Sequence, residues 1–346
     1  MRPWVLAYYM SYDNDLTHCG PVILDALERA VEGTSLAVTV LVDDAFEDRL
    51  VRHVFTSGRH RKKAMRTDDS SSSAVVEDYL SGVIEEFPAD RYAVVFLNHG
   101  GRVDEMCLDE QPGRGRGAAW LSARAVGDVL RRLRPTMPGR FELLFLQQCA
   151  RASVDNLYNM RDTATWVMGS QLKVGAPNTY YEPVIRWLDQ HPSSSGLALA
   201  RQVAKHDHHY RTYVCVDGRR IAELPDRLRN VADGLIGRSR RPLLFPRRPQ
   251  PCFEYAGETN YDLLELLGAA FRRNRRSLAG FKTFEKWVRS ELIRDVAVHP
   301  SSRRADGRLC GLSVFAPSSQ AQRRTYDSYP LQKASSMSSL WKAFGR

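Results

Sequence analysis

Two apolar runs that end abruptly in reactive polar side chains constrain the fold of this chain more than any other feature. The run at 92–97 (YAVVFL) is followed closely by His99, and the run at 143–146 (LLFL) is followed by two glutamines and Cys149. Uninterrupted apolar runs of roughly four to eight residues are typical of strands that are buried on both faces, as in parallel sheets. We therefore predict two central strands, each with a reactive side chain just beyond its carboxyl end.

Segments with helical spacing alternate with further strand-like segments along the first half of the chain. The predicted strands are 3–10, 35–43, 49–57, 91–100, 140–149 and 165–171, and the predicted helices are 21–33, 73–88, 122–135 and 153–164. Residues 58–73, which are basic and then serine-rich, are predicted to form a mobile loop. The alternation predicts an α/β fold with a mostly parallel sheet flanked by helices, in which ligands bind beyond the carboxyl ends of the strands.

The second half of the chain is predicted to be mainly helical. Its helical segments are 196–213, 222–239 and 260–295, and a short strand at 311–317 and a final segment at 336–344 follow them. A chain of 346 residues is long for a single compact core. We therefore predict an α/β domain over 1–195 and a helical C-terminal subdomain over 196–346 that packs on it.

Cysteine usage and the first residues of the chain bear on its location. The six cysteines are scattered and form no CxxC pair, which is typical of reduced thiols rather than of a disulfide framework. The opening MRPWVLAYYM lacks the long apolar region of a signal peptide and is predicted to be the first strand. No apolar run is long enough to span a bilayer. These features predict a cytoplasmic protein without a membrane partner.

The net charge of +10 comes mostly from arginine-rich runs at 58–66, 240–249 and 271–277. A basic balance can indicate nucleic-acid binding. These runs lack the interleaved aromatic residues that single-strand binders use, so solvated loops and helix faces explain them more simply. Nucleic-acid binding is therefore disfavoured but kept as a third hypothesis. The oligomeric state stays open, with a monomer as the expectation.

His99 and Cys149 together form a candidate pair of base and nucleophile. Only the thiolate form of a cysteine attacks, and a neighbouring imidazole can take up its proton. Gly100 carries no side chain, so its amide can approach a developing oxyanion closely. Separately, the cysteine would be interpreted as a core residue and the His-Gly pair as a turn. Their equivalent positions at two strand ends favour the functional interpretation.

Other polar clusters are less specific. Asp13 and Asp15 follow the first strand and are interpreted either as helix-capping residues or as part of a substrate cleft. The HDHH segment at 206–209 is predicted to be a solvated patch rather than a metal site. The pair at 109–110 (DE) offers carboxylates without a metal-ligand spacing, so no metal site is predicted.

Several motifs resemble those of the clostripain-like cysteine peptidases, which are relatives of the caspases. The motifs are YYMSYDNDL near the start, FLNHGG around His99, CARASVDNLYNMRDTATWVMGSQ from Cys149, and NYDLLELL and GLSVFAP towards the end. The histidine and cysteine motifs are fairly specific in combination. The resemblance implies a caspase-like fold and a peptide or protein substrate.

The resemblance also implies a role for individual residues. His99 would be the catalytic imidazole and Cys149 the nucleophile, and the amides of Gly100 and Cys149 would hold the oxyanion. Peptide bonds would be hydrolysed through a thioester acyl-enzyme. Substrate-binding positions would be Gln147, Asp13 and Ser170. Calcium activates some relatives, and the sequence alone neither supports nor opposes it here.

Two positions depart from the family pattern. Gln147 stands where members typically have an aspartate that binds an arginine or lysine side chain of the substrate, and Gln171 stands where an acid is common. A neutral amide offers a buried cation no counter-charge, although Asp13 or Asp15 could supply one. The losses imply altered specificity, or a catalytically weak scaffold that binds partners, which we keep as the alternative function.

The segment GRGRGAA at 113–119 lies between the histidine and the cysteine motifs. Family members are often activated by cleavage in this interval, so Arg114 and Arg116 are candidate self-cleavage sites. A plain flexible linker is the competing interpretation.

Overall fold

A nine-stranded sheet lies at the centre of the protein, which is described by a computed structural model over residues 1–113, 117–237 and 242–345. In chain order the strands of the described ranges are β1 (Arg2–Tyr12), β2 (Ala37–Asp44), β3 (Val51–Thr56), β4 (Arg59–Ala64), β5 (Ala89–Leu97), β6 (Glu105–Asp109), β7 (Ala119–Ser122), β8 (Arg140–Gln147), β9 (Trp166–Gly169), β10 (Thr212–Asp217), β11 (Pro251–Tyr255), β12 (Glu258–Asp262), β13 (Ile293–Val298) and β14 (Ser313–Phe315).

Helices of the same ranges cover both faces of this sheet. They are α1 (Gly20–Val31), α2 (Ser73–Glu86), α3 (Ala123–Leu133), α4 (Val154–Asn159), α5 (Tyr181–Gln190), α6 (Gly196–His206), α7 (Leu224–Ile236), α8 (Leu263–Arg273), α9 (Ala279–Trp287), α10 (Arg303–Asp306), α11 (Gln320–Tyr326), α12 (Pro330–Ala334) and α13 (Met337–Ala343). Short 3₁₀ segments lie at Thr17–Cys19, Arg134–Thr136, Gly218–Glu223 and Pro300–Ser302, and a π-helical turn lies at Val288–Leu292. None of these helices combines the length and apolar character that a membrane-spanning segment requires.

The strand order of the large sheet is β13-β10-β9-β8-β5-β1-β2-β3-β4. Its five inner strands, β9, β8, β5, β1 and β2, are parallel, and two antiparallel strands extend each side. The prediction of a caspase-like α/β fold with a mostly parallel sheet is therefore confirmed. The buried parallel strands are apolar on both faces, as parallel sheets covered by helices require.

Alternate residues of the inner strands pack into two separate apolar cores. On β1, Val5 and Tyr9 belong to a core that includes residues of α2, α3, α7 and α8, whereas Trp4 and Leu6 belong to a core with α1, α5 and α6. This alternation follows from the two-residue period of a strand. The cores fix the inner strands from both sides, so the loops at their carboxyl ends start from rigid positions.

The prediction of a mobile loop at 58–73 is wrong for its first part. Residues Arg59–Ala64 form β4, which pairs with β3 through a tight turn at Gly58 (φ +67°). The segment can carry basic side chains on both faces because it is the outermost strand of the sheet, with no other described strand on its far side. Charged edge strands resist pairing with other chains, and they lack the apolar alternation that marks a strand in a sequence.

The second half is less helical than predicted. The predicted helix at 196–213 ends at His206 and is followed by β10, and the segment at 260–295 ends in β13. Both strands extend the large sheet beyond β9. The division at residue 195 stays a prediction, since strands from both sides of that position share one sheet.

Two glycines in helix interiors provide a test of the packing around the sheet. A Cβ on Gly82 of α2 would meet only the end of the flexible Arg52 side chain, at 3.5 Å. A Cβ on Gly127 of α3 would overlap the carbonyl oxygen of Asn159 and lie 3.0 Å from its carbonyl carbon. We expect Gly82→Ala to raise the free energy of unfolding by about 0.5–1 kcal/mol, because alanine favours the helix. We expect the matched Gly127→Ala to lower it by about 1–3 kcal/mol through overpacking. Urea denaturation of both variants measures the difference, and effects of the same sign would contradict this packing.

Candidate active site

The register of three parallel strands brings the candidate residues to one edge of the sheet. Leu97 at the end of β5 lies opposite Gln147 at the end of β8, so His99 and Cys149 each follow two residues beyond a matched pair. Met10 of β1 lies opposite Leu97 on the other side, and the loop with Asp13 and Asp15 follows β1. The expectation that His99 and Cys149 share the carboxyl edge of the sheet therefore agrees with the register.

Gly100 joins the two strand ends by a close contact between backbones. A Cβ on Gly100 would overlap the carbonyl oxygen of Cys149 and lie 3.1 Å from its carbonyl carbon. The carbonyl oxygen involved belongs to backbone, which cannot swing aside as a flexible side chain does. Glycine is therefore required at this position for the loop after β5 to reach the turn after β8.

The amides of Gly100 and Cys149 are both available to a ligand. Gly100 and Met106 form an isolated antiparallel bridge whose hydrogen bonds run from Gly101 N–H to the Glu105 carbonyl (3.0 Å) and from Cys107 N–H to the His99 carbonyl (3.2 Å). This bridge leaves the N–H of Gly100 itself unused. Within the described ranges, neither that N–H nor the N–H of Cys149 has an acceptor on another residue. Two such amides are the donors that an oxyanion requires.

The imidazole of His99 is oriented by a carboxylate. Its Nε2 lies 2.6 Å from Oδ1 of Asp15, and about a third of the His99 side chain is exposed. The preceding residue, Asn98, donates a hydrogen bond from its side-chain amide to the Leu108 carbonyl (2.8 Å) and accepts one from the side-chain amide of Asn14 (3.2 Å). The loop after β1 therefore supports His99 through two residues, Asn14 and Asp15.

The thiol of Cys149 is half-buried and is held next to the backbone of Val174. Its Sγ accepts a hydrogen bond from Val174 N–H at 3.4 Å. Burial raises the pKa of the Cys149 thiol, whereas the Val174 amide and the charges of Arg151 and Lys173 oppose this rise. The next residue, Ala150, has φ +57°, a left-handed conformation that is unfavourable for a residue with a Cβ. Strained backbone of this kind clusters at functional turns.

No hydrogen bond joins His99 to Cys149 among the described residues. Catalytic hydrogen bonds are often long before substrate binds and tighten in the complex, so this separation does not exclude a pair. Assignment of the two residues to a catalytic dyad stays a prediction, and the register and the Gly100 contact support it.

Gln147 is enclosed by an internal polar network. Its Nε2 donates to Oδ1 of Asn178 and to the Tyr181 hydroxyl (3.3 Å), and its Oε1 accepts from the Tyr180 hydroxyl (2.6 Å). Asn178 in turn donates to the buried carboxylate of Asp207 at 2.7 Å. The amide of Gln147 therefore has internal partners for both its donor and its acceptor atoms.

The other predicted substrate-binding residues lie in the interior. Ser170 is fully buried, and its hydroxyl accepts from Leu172 N–H (3.0 Å) and contacts the Thr212 hydroxyl (3.3 Å). Asp13 is 5% exposed and accepts from Gln111 N–H at 3.1 Å. Their roles in substrate binding stay predictions. The candidate self-cleavage residues Arg114 and Arg116 lie outside the described residues.

Three buried carboxylates that sequence analysis did not connect lie beside this edge. Asp13, Asp43 and Asp109 each place an oxygen within 4.8 Å of the others. Burial is the main cause that raises the pKa of Asp43 to about 8 and of Asp109 to about 6. The hydroxyl of Ser70 donates to both of these carboxylates. Carboxylate oxygens are ligands that calcium prefers, so these residues fit that ion. The sequence does not reveal this cluster, because its three members lie in segments that are far apart along the chain.

Gly100→Ala tests whether the two strand ends must touch. The added Cβ forces the His99 loop away from the Cys149 turn, and a displacement of about 1 Å can cost roughly 100-fold in rate. We expect the rate of peptide cleavage to fall by at least about 100-fold. Gly280→Ala is the matched control, because Gly280 lies in α9, outside the two strand ends, and a Cβ there meets nothing within 4 Å. Normal activity of both variants would show that the contact is not needed.

Comparisons with known proteins identify the family and the fold of the chain. A model of the clostripain family matches residues 8–244, a range that includes His99 and Cys149. The fold resembles that of a secreted C11 cysteine protease from Bacteroides thetaiotaomicron bound to an irreversible peptide inhibitor (TM-score 0.71, 15% identity, 96% of this chain and 99% of that chain). It also resembles an inactive zymogen C11 protease from Parabacteroides distasonis (TM-score 0.68, 15% identity, 96% of this chain and 98% of that chain). No curated protein matches the chain.

The prediction of a cytoplasmic location is contradicted. A second Bacteroides thetaiotaomicron structure, "iotapain" (TM-score 0.68, 13% identity, 96% of this chain and 99% of that chain), is again a secreted C11 cysteine protease. The inference from cysteine usage failed because all six thiols are buried or half-buried, and a chain with cores of this size needs no disulfides for stability.

The family match covers well over half of the chain, and the fold agrees over nearly its whole length. The chain therefore belongs to the clostripain family and is a cysteine-type peptidase.

Proposed function

We propose that the chain is an endopeptidase in which Cys149 is the nucleophile and His99 is the general acid and base. The observation that supports this most is the backbone contact between Gly100 and Cys149, which brings the two strand ends together. Among the described residues, the N–H groups of Gly100 and Cys149 have no acceptor on another residue.

The reaction begins with transfer of the Cys149 proton to His99. Because burial raises the pKa of the thiol, the sulfur needs a base in order to become a nucleophile at neutral pH. The carboxylate of Asp15 holds the imidazole and stabilises the positive charge that it acquires. The sulfur then attacks the peptide carbonyl carbon, and the carbonyl oxygen takes up the negative charge.

The tetrahedral intermediate is held by the amides of Gly100 and Cys149. Its collapse breaks the C–N bond while His99 returns the proton to the leaving amine, which produces a thioester. Water then attacks the thioester, with His99 as base, and releases the acid product and the free thiol. A preorganised pair of oxyanion donors typically contributes about 2.7–4 kcal/mol for each donor.

Calcium, when bound, would be held by Asp13, Asp43 and Asp109 and would neutralise part of their negative charge. The loop after β1 that carries Asp13 also carries Asp15, so the carboxylate cluster adjoins the partner of His99. The cluster makes no contribution to proton transfer or to attack in this proposal.

A catalytically weak scaffold is the alternative function. It is favoured by the raised pKa of the Cys149 thiol and by the missing hydrogen bond between Cys149 and His99 among the described residues. Because two structural neighbours are secreted proteases, we propose that the chain acts outside the cytoplasm in either case. A peptidase and a scaffold differ in whether a substrate-like probe reaches an activated thiol.

A thiol-reactive peptidyl probe distinguishes the peptidase from the scaffold. We expect wild-type protein to be labelled at Cys149, and His99→Ala to be labelled about 100- to 10,000-fold more slowly, the range for loss of a general base. Intact mass and peptide mapping measure the extent and place of labelling. Cys252→Ala is the matched control, because Cys252 is the other half-buried cysteine and its loss should change nothing. Equal labelling of wild type and His99→Ala would reject the dyad, and an inert Cys149 would favour the scaffold.

The specificity of the site follows from Gln147. Its neutral amide is already bonded to Asn178 and Tyr180, and the carboxylate of Asp207 behind it accepts four hydrogen bonds and is 1% exposed. Burying a substrate cation there without a free carboxylate is costly. We therefore expect that arginine and lysine are not preferred before the scissile bond.

A positional-scanning library of fluorogenic peptides measures this preference for wild type and Cys149→Ala. A cleavage preference that depends on Cys149 and excludes arginine and lysine would support the role of Gln147. A preference for arginine or lysine that is lost in Cys149→Ala would show that another acid, such as Asp13, supplies the counter-charge. Such a basic preference would also revive self-cleavage at Arg114 or Arg116, which the intact mass of wild type beside Cys149→Ala would reveal.

A further inference from the structure

Arg151 is a buried cation inside the candidate active site, two residues after Cys149. Its side chain is 1% exposed, and every nitrogen of its guanidinium donates to a main-chain carbonyl. The acceptors are the carbonyls of Cys149 (3.1 Å), Gly101 (2.9 Å), Arg102 (3.0 Å), Val103 (3.4 Å) and Glu105 (2.7 Å). Among the residues that the structure describes, it forms no ion pair with a carboxylate.

These carbonyls lie on both sides of the site. Cys149 belongs to the turn after β8, whereas residues 101–104 form the loop that follows His99 and Gly100, and Glu105 begins β6. The planar guanidinium is rigid and presents its five N–H groups in a fixed fork. One side chain thus fixes the loop of the base relative to the turn of the nucleophile.

Removal of this guanidinium would leave the carbonyls of Cys149, Gly101 and Val103 without a donor among the described residues, whereas the carbonyls of Arg102 and Glu105 would each keep a backbone N–H. Buried backbone carbonyls are almost always hydrogen-bonded, because an unsatisfied one costs free energy. The Gly100 contact lies directly beside this fork, since a Cβ on Gly100 would be 3.0 Å from Nε of Arg151. The Arg151 guanidinium therefore holds together the same two segments that meet at the Gly100 contact.

The charge of Arg151 acts on the thiol as well. Burial lowers the pKa of Arg151 to about 10, so the guanidinium remains charged at neutral pH. Its positive charge opposes the rise in the Cys149 pKa that burial causes, and the thiolate in turn favours the charged guanidinium. With carbonyl dipoles as its hydrogen-bond partners, the cation keeps its full charge beside the sulfur.

We propose that Arg151 is a positioning residue of the peptidase, which locks the His99 loop onto the Cys149 turn and stabilises the Cys149 thiolate. This inference rests on the proposed roles of His99 and Cys149. It concerns two separable properties, geometry and charge. Lysine at position 151 preserves the charge and loses the fork, whereas methionine loses both.

The test compares Arg151→Lys and Arg151→Met with wild type. We expect kcat to fall at least about tenfold in both variants, with KM changed less than about threefold, because the defect lies in alignment rather than in binding. The rate of Cys149 alkylation by iodoacetamide, followed across pH, reports the thiolate fraction. We expect its midpoint to move up by about one pH unit in Arg151→Met and by clearly less in Arg151→Lys.

Arg131 provides a matched control away from the site. Its guanidinium also donates to main-chain carbonyls, those of Asn159 (2.8 Å) and Arg161 (3.0 Å), and its side chain is 22% exposed. Arg131→Met should lower the thermal midpoint without moving the alkylation profile or kcat. If the Arg151 variants behave like Arg131→Met, with lower stability and an unchanged profile, Arg151 is structural only and the proposal is overturned.

The outcomes separate this inference from the proposed function. If wild-type Cys149 is inert towards both the peptidyl probe and substrate, the proposed function fails before Arg151 is tested. If wild type is active and Arg151→Lys retains wild-type kcat with a folded circular-dichroism spectrum, only the role of Arg151 fails. If Arg151→Met does not fold, the kcat of folded Arg151→Lys still tests whether the five N–H groups of the guanidinium are needed.

Discussion

The contact between the backbone after β5 and the backbone after β8 sets the geometry on which the rest of the site depends. Parallel pairing of β5 with β8 aligns their ends to the residue, and the absence of a Cβ at Gly100 lets the two loops meet. Neither feature alone would bring the two loops into contact, because neighbouring strands with aligned ends are still about 4.8 Å apart. Gly100 lets the two backbones meet just beyond the sheet. In the proposed mechanism, the peptide carbonyl of a substrate lies there, between His99 and the sulfur of Cys149.

The charges around this contact are distributed unevenly. A carboxylate, Asp15, lies against His99, whereas the cations Arg151 and Lys173 act on the sulfur of Cys149. This arrangement stabilises a positive imidazole and a negative sulfur, which is the charge state that follows proton transfer. Burial of the thiol opposes the same transfer. The site therefore combines a half-buried thiol, the proposed nucleophile, with fixed charges that reduce the cost of ionising it, and we expect substrate binding to complete the alignment.

Much of the fold could be predicted from sequence because buried parallel strands leave a strong apolar signal. That signal identified β1, β2, β5 and β8 and the positions of His99 and Cys149 beyond two of them. It failed for β4, whose basic side chains need no buried face at the sheet edge, and for β10 and β13, which follow helical segments directly. Local patterns report burial within one segment. They do not report which distant segments pair.

The interior polar groups escaped prediction for a related reason. Nothing in the order of residues indicates that Arg151 meets the carbonyls of residues 101–105, because the partners are main-chain atoms that every residue carries.

Gln147 was recognised as unusual from its position, but its partners Asn178 and Tyr180 lie some thirty residues away. Their network explains why a neutral side chain is stable at Gln147. A buried carboxylate behind it, Asp207, already accepts hydrogen bonds from Asn178 and from the hydroxyl of Tyr213, so its oxygens have neutral partners before any substrate cation arrives. Under the proposed role of Gln147 in substrate binding, specificity depends on this interior hydrogen-bond network. A substitution of Gln147 by aspartate would then have to rebuild the network before it could create a preference for a basic side chain.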